Sequence, residues 1–461
     1  MRTPRWLLAA ALALALGAGC GPRRAPNVVL ISIDTLRADH LSAWGYARET
    51  SPEIDRLAAQ GVRFARAYAP ASWTLPSHVS LVTSQLPSHH GVRDDQVALS
   101  PQALTLAELL SAAGFSTAGF VSWVYVGSKY GFSQGFDTYL ELVDRARYEP
   151  ASGGGAAPAA QVVDAAIAWL DTQPARPFFL FVHLFDPHMD YAPPPPYDTM
   201  FGGDPQAADG RYASLRRYIP YLGRPVPELP AAVRERVVSL YDGEIRYADA
   251  QVGRLLQAID ALGEQSLVVV LSDHGEELGE HGSLEGHGWT LFDEVLHVPL
   301  VLRLPRDAEA GTVVEAPVTL LDVGPTVLDV LGLPAEPAFE GRSLLGLARG
   351  KSAPEGRLLV AQTDRSGARL RAVRGERWKR IEVRDAGAAS LGLPVRQGDS
   401  LFDLASDPGE RRDVSASEPA IVRHLSAALA AAEAPREAPP PAQVVLSPEE
   451  RERLRALGYA E

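Results

Sequence analysis

The sequence predicts an α/β fold, a mostly parallel sheet flanked by helices, with a smaller C-terminal antiparallel α+β subdomain. Three observations carry this. Four apolar runs, NVVLISID (27–34), PFFLFVHLFDPH (177–188), SLVVVLSDHGEE (266–277) and VPLVLRLP (298–305), suit strands covered on both faces. Helical patterns separate them, and strands alternating with helices imply a mostly parallel sheet. From about residue 346 the texture changes to short segments typical of antiparallel strands.

Taken in order, LTLAELLSAAG around 104–114 has helical spacing and ends on a glycine stop signal. Residues 156–172 are alanine-rich with apolar helical spacing, and 229–262 form a long helical pattern that includes YDGEIRYADAQVGRLL. The stretch 193–230, rich in proline, tyrosine and glycine, predicts a long loop of the kind that shapes substrate access. RLLVAQTD, then RLRAV and WKRIEVR around the turn Arg374–Glu376, then SLFDLASDPGE, predict the antiparallel strands. Residues 434–446 read as a proline- and alanine-rich strap. The closing LSPEERERLRALGYAE reads as a short amphipathic helix, with Ser447 and Glu450 as a capping box. The expected division is a signal peptide over 1–19, a tether over 20–26 and a catalytic domain over 27–345. The C-terminal subdomain follows over 346–433, then strap and terminal helix over 434–461.

The 461 residues are 46% apolar and 22% charged, enough for a well-cored globular protein. A net charge of −13 argues against a nucleic-acid partner, which needs a basic surface. At the N-terminus Arg2 and Arg5 precede an apolar run from Trp6 to Leu16, and small residues lead to the single cysteine, Cys20. That is the pattern of a secretory signal, and the run is too short to span a bilayer comfortably. LGAGC resembles a bacterial lipobox, with Gly17 where leucine is usual, so Cys20 is expected to be lipidated. The expectation is export, with a lipid anchor to a bacterial membrane and the protein facing the periplasm or exterior. Plain secretion, with Cys20 in the discarded peptide, is the alternative.

Asp34 closes NVVLISID, and Asp273 with His274 closes SLVVVLSD. In open α/β sheets ligands bind at these strand ends. Two carboxylates and an imidazole from separate strands can surround one divalent ion, Ca, Mg, Mn or Zn. Each aspartate alone is equally explained as a helix cap. In ASWTLPSHVSLVTSQLPSHHGV (71–92), Pro76 and Ser77 read as a helix start, with Thr74 just before it. Free N–H groups and the helix dipole there favour a sulfate or phosphate, and a hydroxyl beside a divalent ion can become a nucleophile. Thr74 and Ser77 as mere caps are the alternative.

These segments resemble the sulfatase family of the alkaline phosphatase superfamily. TLPSH with SLVTSQLPSHHGV matches the family's nucleophile frame, placing Thr74 in the nucleophile slot and His78 in the arginine slot. NVVLISIDTLRADHLSAWGY and SDHGEELGEHG resemble its two metal segments. LFVHLFDPHMDY, GFDTY, YADAQVGRLL, GPTVLDVLGL and LFDLASDPGE follow in the family's order, so the likeness covers residues 27 to about 415. It implies an alkaline phosphatase-like fold and hydrolysis of anionic esters. Asp34, Asp273 and His274 would bind the metal, with the Thr74 oxygen as a further ligand. His188 would contact the substrate or its anionic group, and His287 would serve as acid for the leaving alkoxide. His183 and His281 are expected in supporting or structural roles. A second metal drawing on Asp186, His188 and His287 is the lesser alternative.

Three departures matter. Thr35 stands where the family has a second aspartate. The family's Gly-Lys-Trp lysine has no counterpart, Ser122 lying roughly there. The nucleophile is threonine, which cannot become the formylglycine of true sulfatases and resembles instead the superfamily's phosphodiesterases and lipid phosphoryl transferases. The expected function is metal-dependent hydrolysis of sulfate or phosphate esters through a threonine alkoxide. The substrate class is an anionic ester of a glycan, lipid or small molecule. Phosphoryl transfer to a lipid or glycan acceptor and an inactive anionic-glycan binding protein are the alternatives.

Overall fold

The computed structural model describes residues 25–142, 156–219, 227–263, 265–282, 284, 287–354, 356–365, 368–386, 398–445 and 447–448. The signal segment, Cys20 and the Ser447–Glu450 capping box lie outside these, wholly or in part.

Eight strands form the main sheet: β1 (Asn27–Ile33), β2 (Val62–Phe64), β3 (Ser116–Val121), β4 (Thr138–Glu141), β5 (Phe178–Leu184), β6 (Ser266–Ser272), β7 (Leu300–Arg303) and β8 (Thr312–Val314). Their order across the sheet is β8-β2-β7-β6-β1-β5-β3-β4. All run parallel except β7, which is antiparallel to both β6 and β2. The run VPLVLRLP therefore forms the expected strand, but in the reverse direction. Four strands have weaker sequence signals: β2, β4 and β8 are short edge or near-edge pieces, and β3 lies in GFSTAGFVSW.

The strands alternate between two cores. Val28 and Leu30 of β1, Phe179 and Phe181 of β5, and Leu267, Val269 and Leu271 of β6 face one layer. Val29, Ile31 and Ile33, with Val268 and Val270, face the other. The helices divide accordingly. Among them are α1 (Pro52–Ala59), α2 (Thr74–Thr83), α3 (Leu106–Ala112), α4 (Ala159–Asp171), α5 (Ala231–Ala261) and α6 (Val323–Leu331). Apolar faces of α2, α3 and α6 cover the first layer and those of α1, α4 and α5 the second. A capping box of Thr105 and Glu108 starts α3.

A second sheet of β9 (Leu359–Arg365), β10 (Ala368–Arg374), β11 (Trp378–Ala386) and β12 (Ser400–Asp403) is antiparallel throughout. The helix α7 (Pro419–Ala432) packs on it, with Leu425 and Leu429 meeting Val373 and Leu401. The proline-rich strap crosses back to the main domain, where Ala442–Gln443 pairs with Val97–Ala98. Within 193–219 only short helical turns, Tyr212–Leu215 and Arg216–Tyr218, interrupt the expected loop. Among the described residues no helix is long and apolar enough to cross a membrane.

Candidate active site

Period-two alternation builds the site. Asp34 continues the row Val28, Leu30, Ser32, and Asp273 continues Leu267, Val269, Leu271, so both carboxylates leave adjacent parallel strands on the α2 side. The chain then turns sharply. Thr35 adopts φ 52°, in the left-handed region, and its carbonyl accepts from the Tyr241 hydroxyl at 2.6 Å. Past β6, Gly275 N–H donates to Val295 O at 2.9 Å, and a Cβ there would meet Glu294 O at 2.1 Å. Only glycine lets the His274 backbone pass this close.

One ligand atom each from Asp34, Asp273 and His274 lies within 4.8 Å of the others, and all three residues are fully buried. Among the described residues this is the one such cluster. Asp34 Oδ1 and Asp273 Oδ1 lack a hydrogen-bond partner, and Asp273 Oδ2 has only imidazole nitrogens near it, His78 Nδ1 at 3.2 Å and His274 Nε2 at 3.4 Å. Burial, with Asp273 and Glu276 nearby, pushes the Asp34 carboxyl well above the usual range. Asp273 is buried too, but His274 and His78 hold it below that range. Two like groups pulled in opposite directions at this separation lack positive charge, which one divalent cation would supply. The imidazole agrees: His274 Nδ1–H donates to Gly275 O at 2.9 Å, turning Nε2 toward the carboxylates. Ligating histidines are held in this way. The donor set fits a divalent cation.

Thr74 is the first residue of α2, two positions earlier than Pro76 suggests, because Ser77 N–H already bonds to Trp73 O. Neither hydroxyl caps the helix. Ser77 Oγ–H donates to Asp273 O at 2.6 Å, and Thr74 Oγ1 lies 3.3 Å from His274 Nε2 and 3.5 Å from Asp34 Oδ2.

Three imidazoles line up beyond it. The ring of His287 lies 5.0 Å from those of His274 and His188. His188 is stacked on Phe185 and donates Nδ1–H to Met189 O at 2.8 Å. His287 Nδ1 lies 2.9 Å from Glu276 Oε1. Burial, with His274 and Arg365 close by, pushes His287 well down, and burial pushes Glu276 up to about 8. Both trends favour a pair without net charge. A protonated Glu276 that donates to Nδ1 leaves the hydrogen of a neutral His287 on Nε2.

The remaining candidates fall outside this line. His281 stacks on Phe292 and faces Glu294, a structural position. Asp186 accepts Ala159 N–H at the start of α4, and Asp186, His188 and His287 do not form a second metal cluster. Ser122 Oγ–H donates to His183 O. Two residues escaped sequence reasoning. Glu276 sits within the second metal segment as one of two adjacent glutamates, with nothing local to distinguish it. Arg365 arrives from β9, lies over the rings of Trp73 and Trp289, and reaches His287 O at 3.3 Å.

A family model described as sulfatase matches residues 26–333, which include every one of these site positions except Arg365. The chain belongs to the sulfatase family of the alkaline phosphatase superfamily. A model of the N-sulphoglucosamine sulphohydrolase C-terminal region matches residues 279–434. Human arylsulfatase A is 28% identical over 485 residues, covering 92% of this chain and 90% of that protein. The ulvan-active sulfatase of Formosa agariphila is 26% identical over 347 residues, covering 70% of this chain and 65% of its own length, just under two thirds. The crystal structure of the phosphonate monoester hydrolase of Agrobacterium radiobacter superposes with a TM-score of 0.71 at 25% identity, covering 89% of this chain and 95% of that one. These relatives are hydrolases of ester bonds, and this sulfatase-family chain is an enzyme of that kind.

Proposed function

We propose that this sulfatase-family enzyme hydrolyses sulfate or phosphate esters through Thr74 Oγ, with one divalent cation held by Asp34, Asp273, His274 and Thr74. The observation that carries the reading is the Thr74 hydroxyl, 3.3 Å from His274 Nε2 and at the start of a ten-residue helix without capping it. When bound, the cation supplies Lewis-acid charge beside the attacking oxygen. The helix N-terminus and its N–H groups favour the anionic group in line with Thr74.

The bond from Thr74 Oγ to sulfur or phosphorus forms as the bond to the leaving oxygen breaks. The threonine proton passes to Asp34 Oδ2, and the leaving oxygen takes the proton on His287 Nε2, a position Glu276 sets through Nδ1. His188 contacts the anionic group. Water then attacks the threonine ester and gives a proton to His287, and Asp34 returns its proton to Thr74. Threonine has no route to formylglycine, and the likeness to a phosphonate monoester hydrolase points the same way, so phosphate esters are the favoured class.

Mass spectrometry of the enzyme quenched during turnover of an aryl phosphate tests this. A phosphate adduct on the Thr74 peptide, absent from Thr74→Ala, is expected. Undiminished turnover by Thr74→Ala overturns it.

The run Trp6–Leu16 and LGAGC support export and a lipid on Cys20 as the membrane attachment.

A further inference from the structure

The main sheet carries a polar tier directly beneath the metal carboxylates. In β1 and β5 every other residue on the α2 side is a large apolar group: Val28 and Leu30 in one, Phe179 and Phe181 in the other. The next residue on that side is Ser32 in β1 and His183 in β5, and the two are register partners. His78 of α2 descends onto them, its ring 5.1 Å from that of His183. All three are fully buried. Packing alone would continue the apolar rows, since buried polar groups are costly unless each is partnered.

The hydrogen bonds define the direction of His78. Thr74 O can only accept, so Nδ1 of His78, 2.9 Å away, carries the hydrogen. The same Nδ1 lies 3.2 Å from Asp273 Oδ2. Nε2 is then the acceptor for Ser32 Oγ–H at 2.9 Å. His183 has no ring nitrogen in an ordinary hydrogen bond, yet its Nε2 lies 3.4 Å from Asp34 Oδ2. Each of the two carboxylates thus has one imidazole of this tier against it.

We propose that His78 and His183 are positioning residues that hold the Asp273 and Asp34 carboxylates in the orientation the cation requires, His78 being itself oriented by Ser32. The inference rests on the metal reading given above. Two imidazole donors stand here where the family has one permanent cation in the arginine slot. Because His78 also binds Thr74 O, the same ring ties the nucleophile's backbone to a metal ligand. A group of this kind changes metal affinity about 10- to 100-fold.

The test is the affinity of the purified full chain for Mn(II) and Zn(II), measured by chelator competition alongside the melting temperature of the metal-free form. His183→Leu and His78→Leu remove the donors at similar bulk. His183→Gln and His78→Asn return a donor near the lost nitrogen. Expected are a 10- to 100-fold loss of affinity in both leucine variants and recovery to within about threefold in the amide variants. The metal-free melting temperature should stay level or rise in His183→Leu, whose ring nitrogens make no ordinary hydrogen bond, and fall in His78→Leu, which leaves Ser32 Oγ and Thr74 O without their partner. If His183→Leu fails to fold, Ser32→Ala, which unties the far side of His78, should weaken binding by itself. Wild-type affinity in folded leucine variants, or amide variants as weak as the leucine ones, overturns this inference alone. A wild-type chain that binds neither ion overturns the metal reading as well.

Discussion

Nδ1 of His287 and Oε1 of Glu276 lie 2.9 Å apart, with both side chains fully buried. The contact fixes the orientation of the imidazole that the proposed mechanism uses as the leaving-group acid. His287→Ala should cut turnover of alkyl esters roughly a hundredfold or more, the usual size of general acid catalysis, and affect esters of acidic phenols much less. Glu276→Gln should show the same leaving-group dependence in weaker form. Thr74→Ala should lower all esters alike. A leaving-group series on the wild type and these three variants checks all four statements. A uniform loss in His287→Ala would move the acid role to His188.

Asp273 is a fully buried carboxylate in the candidate cation cluster with Asp34 and His274. Asp273→Ala should therefore release the divalent ion and abolish turnover, while the metal-free protein melts no lower than wild type. Elemental analysis and a melting curve decide it. Metal content equal to wild type would remove Asp273 from the ligand set.

His90 gives the fold an acid limit. Its Nδ1 accepts Val92 N–H at 3.1 Å, so its hydrogen sits on Nε2, which donates to Ser80 Oγ at 3.0 Å. Burial pushes its pKa down to about 3 from an ordinary value of about 6.5. Between those values the unfolded chain binds the proton and the folded one does not. The stability is thus full above about pH 6.5 and lost as pH falls toward 3. By pH 4 the loss should reach about 3 kcal/mol. His90→Gln should flatten that part of the stability profile in urea melts taken from pH 4 to pH 7.

Lys379 joins the small sheet to the catalytic domain from a fully buried position. Its Nζ lies 2.7 Å from Asp293 Oδ1 and 2.8 Å from Glu410 Oε1. Removing one partner of a buried ion pair leaves the other uncompensated. Lys379→Met should cost roughly 3–5 kcal/mol in denaturant unfolding, and Lys379→Met with Glu410→Gln should recover part of it. Equal stability of wild type and Lys379→Met would show that the pair is offset elsewhere.

Lipidation of Cys20 predicts that the wild type sediments with membranes and that Cys20→Ser appears in the soluble fraction. Soluble, unlipidated wild type in the periplasm or medium would indicate plain secretion.

The strands that carry the site were legible because their signals are local. NVVLISID and SLVVVLSD are long apolar runs ending in carboxylates, and both form central strands with those carboxylates at their carboxyl ends. The alternating pattern within RLRAV and WKRIEVR, split at Gly375, likewise yields a true hairpin. The short strands β2, β4 and β8 were not legible, because so few residues carry no period of their own and depend on neighbours for pairing. The helix start at Thr74 was misplaced by two residues, because proline marks the first turn of a helix and not its first residue.

By itself the sequence determined the class of fold, the family and the identity of Asp34, Thr74, His188, Asp273, His274 and His287 as candidates. The fold class, Asp34, Thr74, Asp273 and His274 follow from patterns at strand ends and a helix start, whereas the family, His188 and His287 follow from a resemblance carried by many ordered segments. Tertiary structure decided which of them meet and on which face: three in one candidate cation cluster, with His188 and His287 in line beyond it and Asp186 drawn off to cap α4. It also decided that β7 runs backward, that Glu276 stands behind His287, and that Arg365 reaches the site from the C-terminal sheet. Such relations join residues far apart in the chain, and they are settled by the alternation of buried strand faces and by which surfaces pack together.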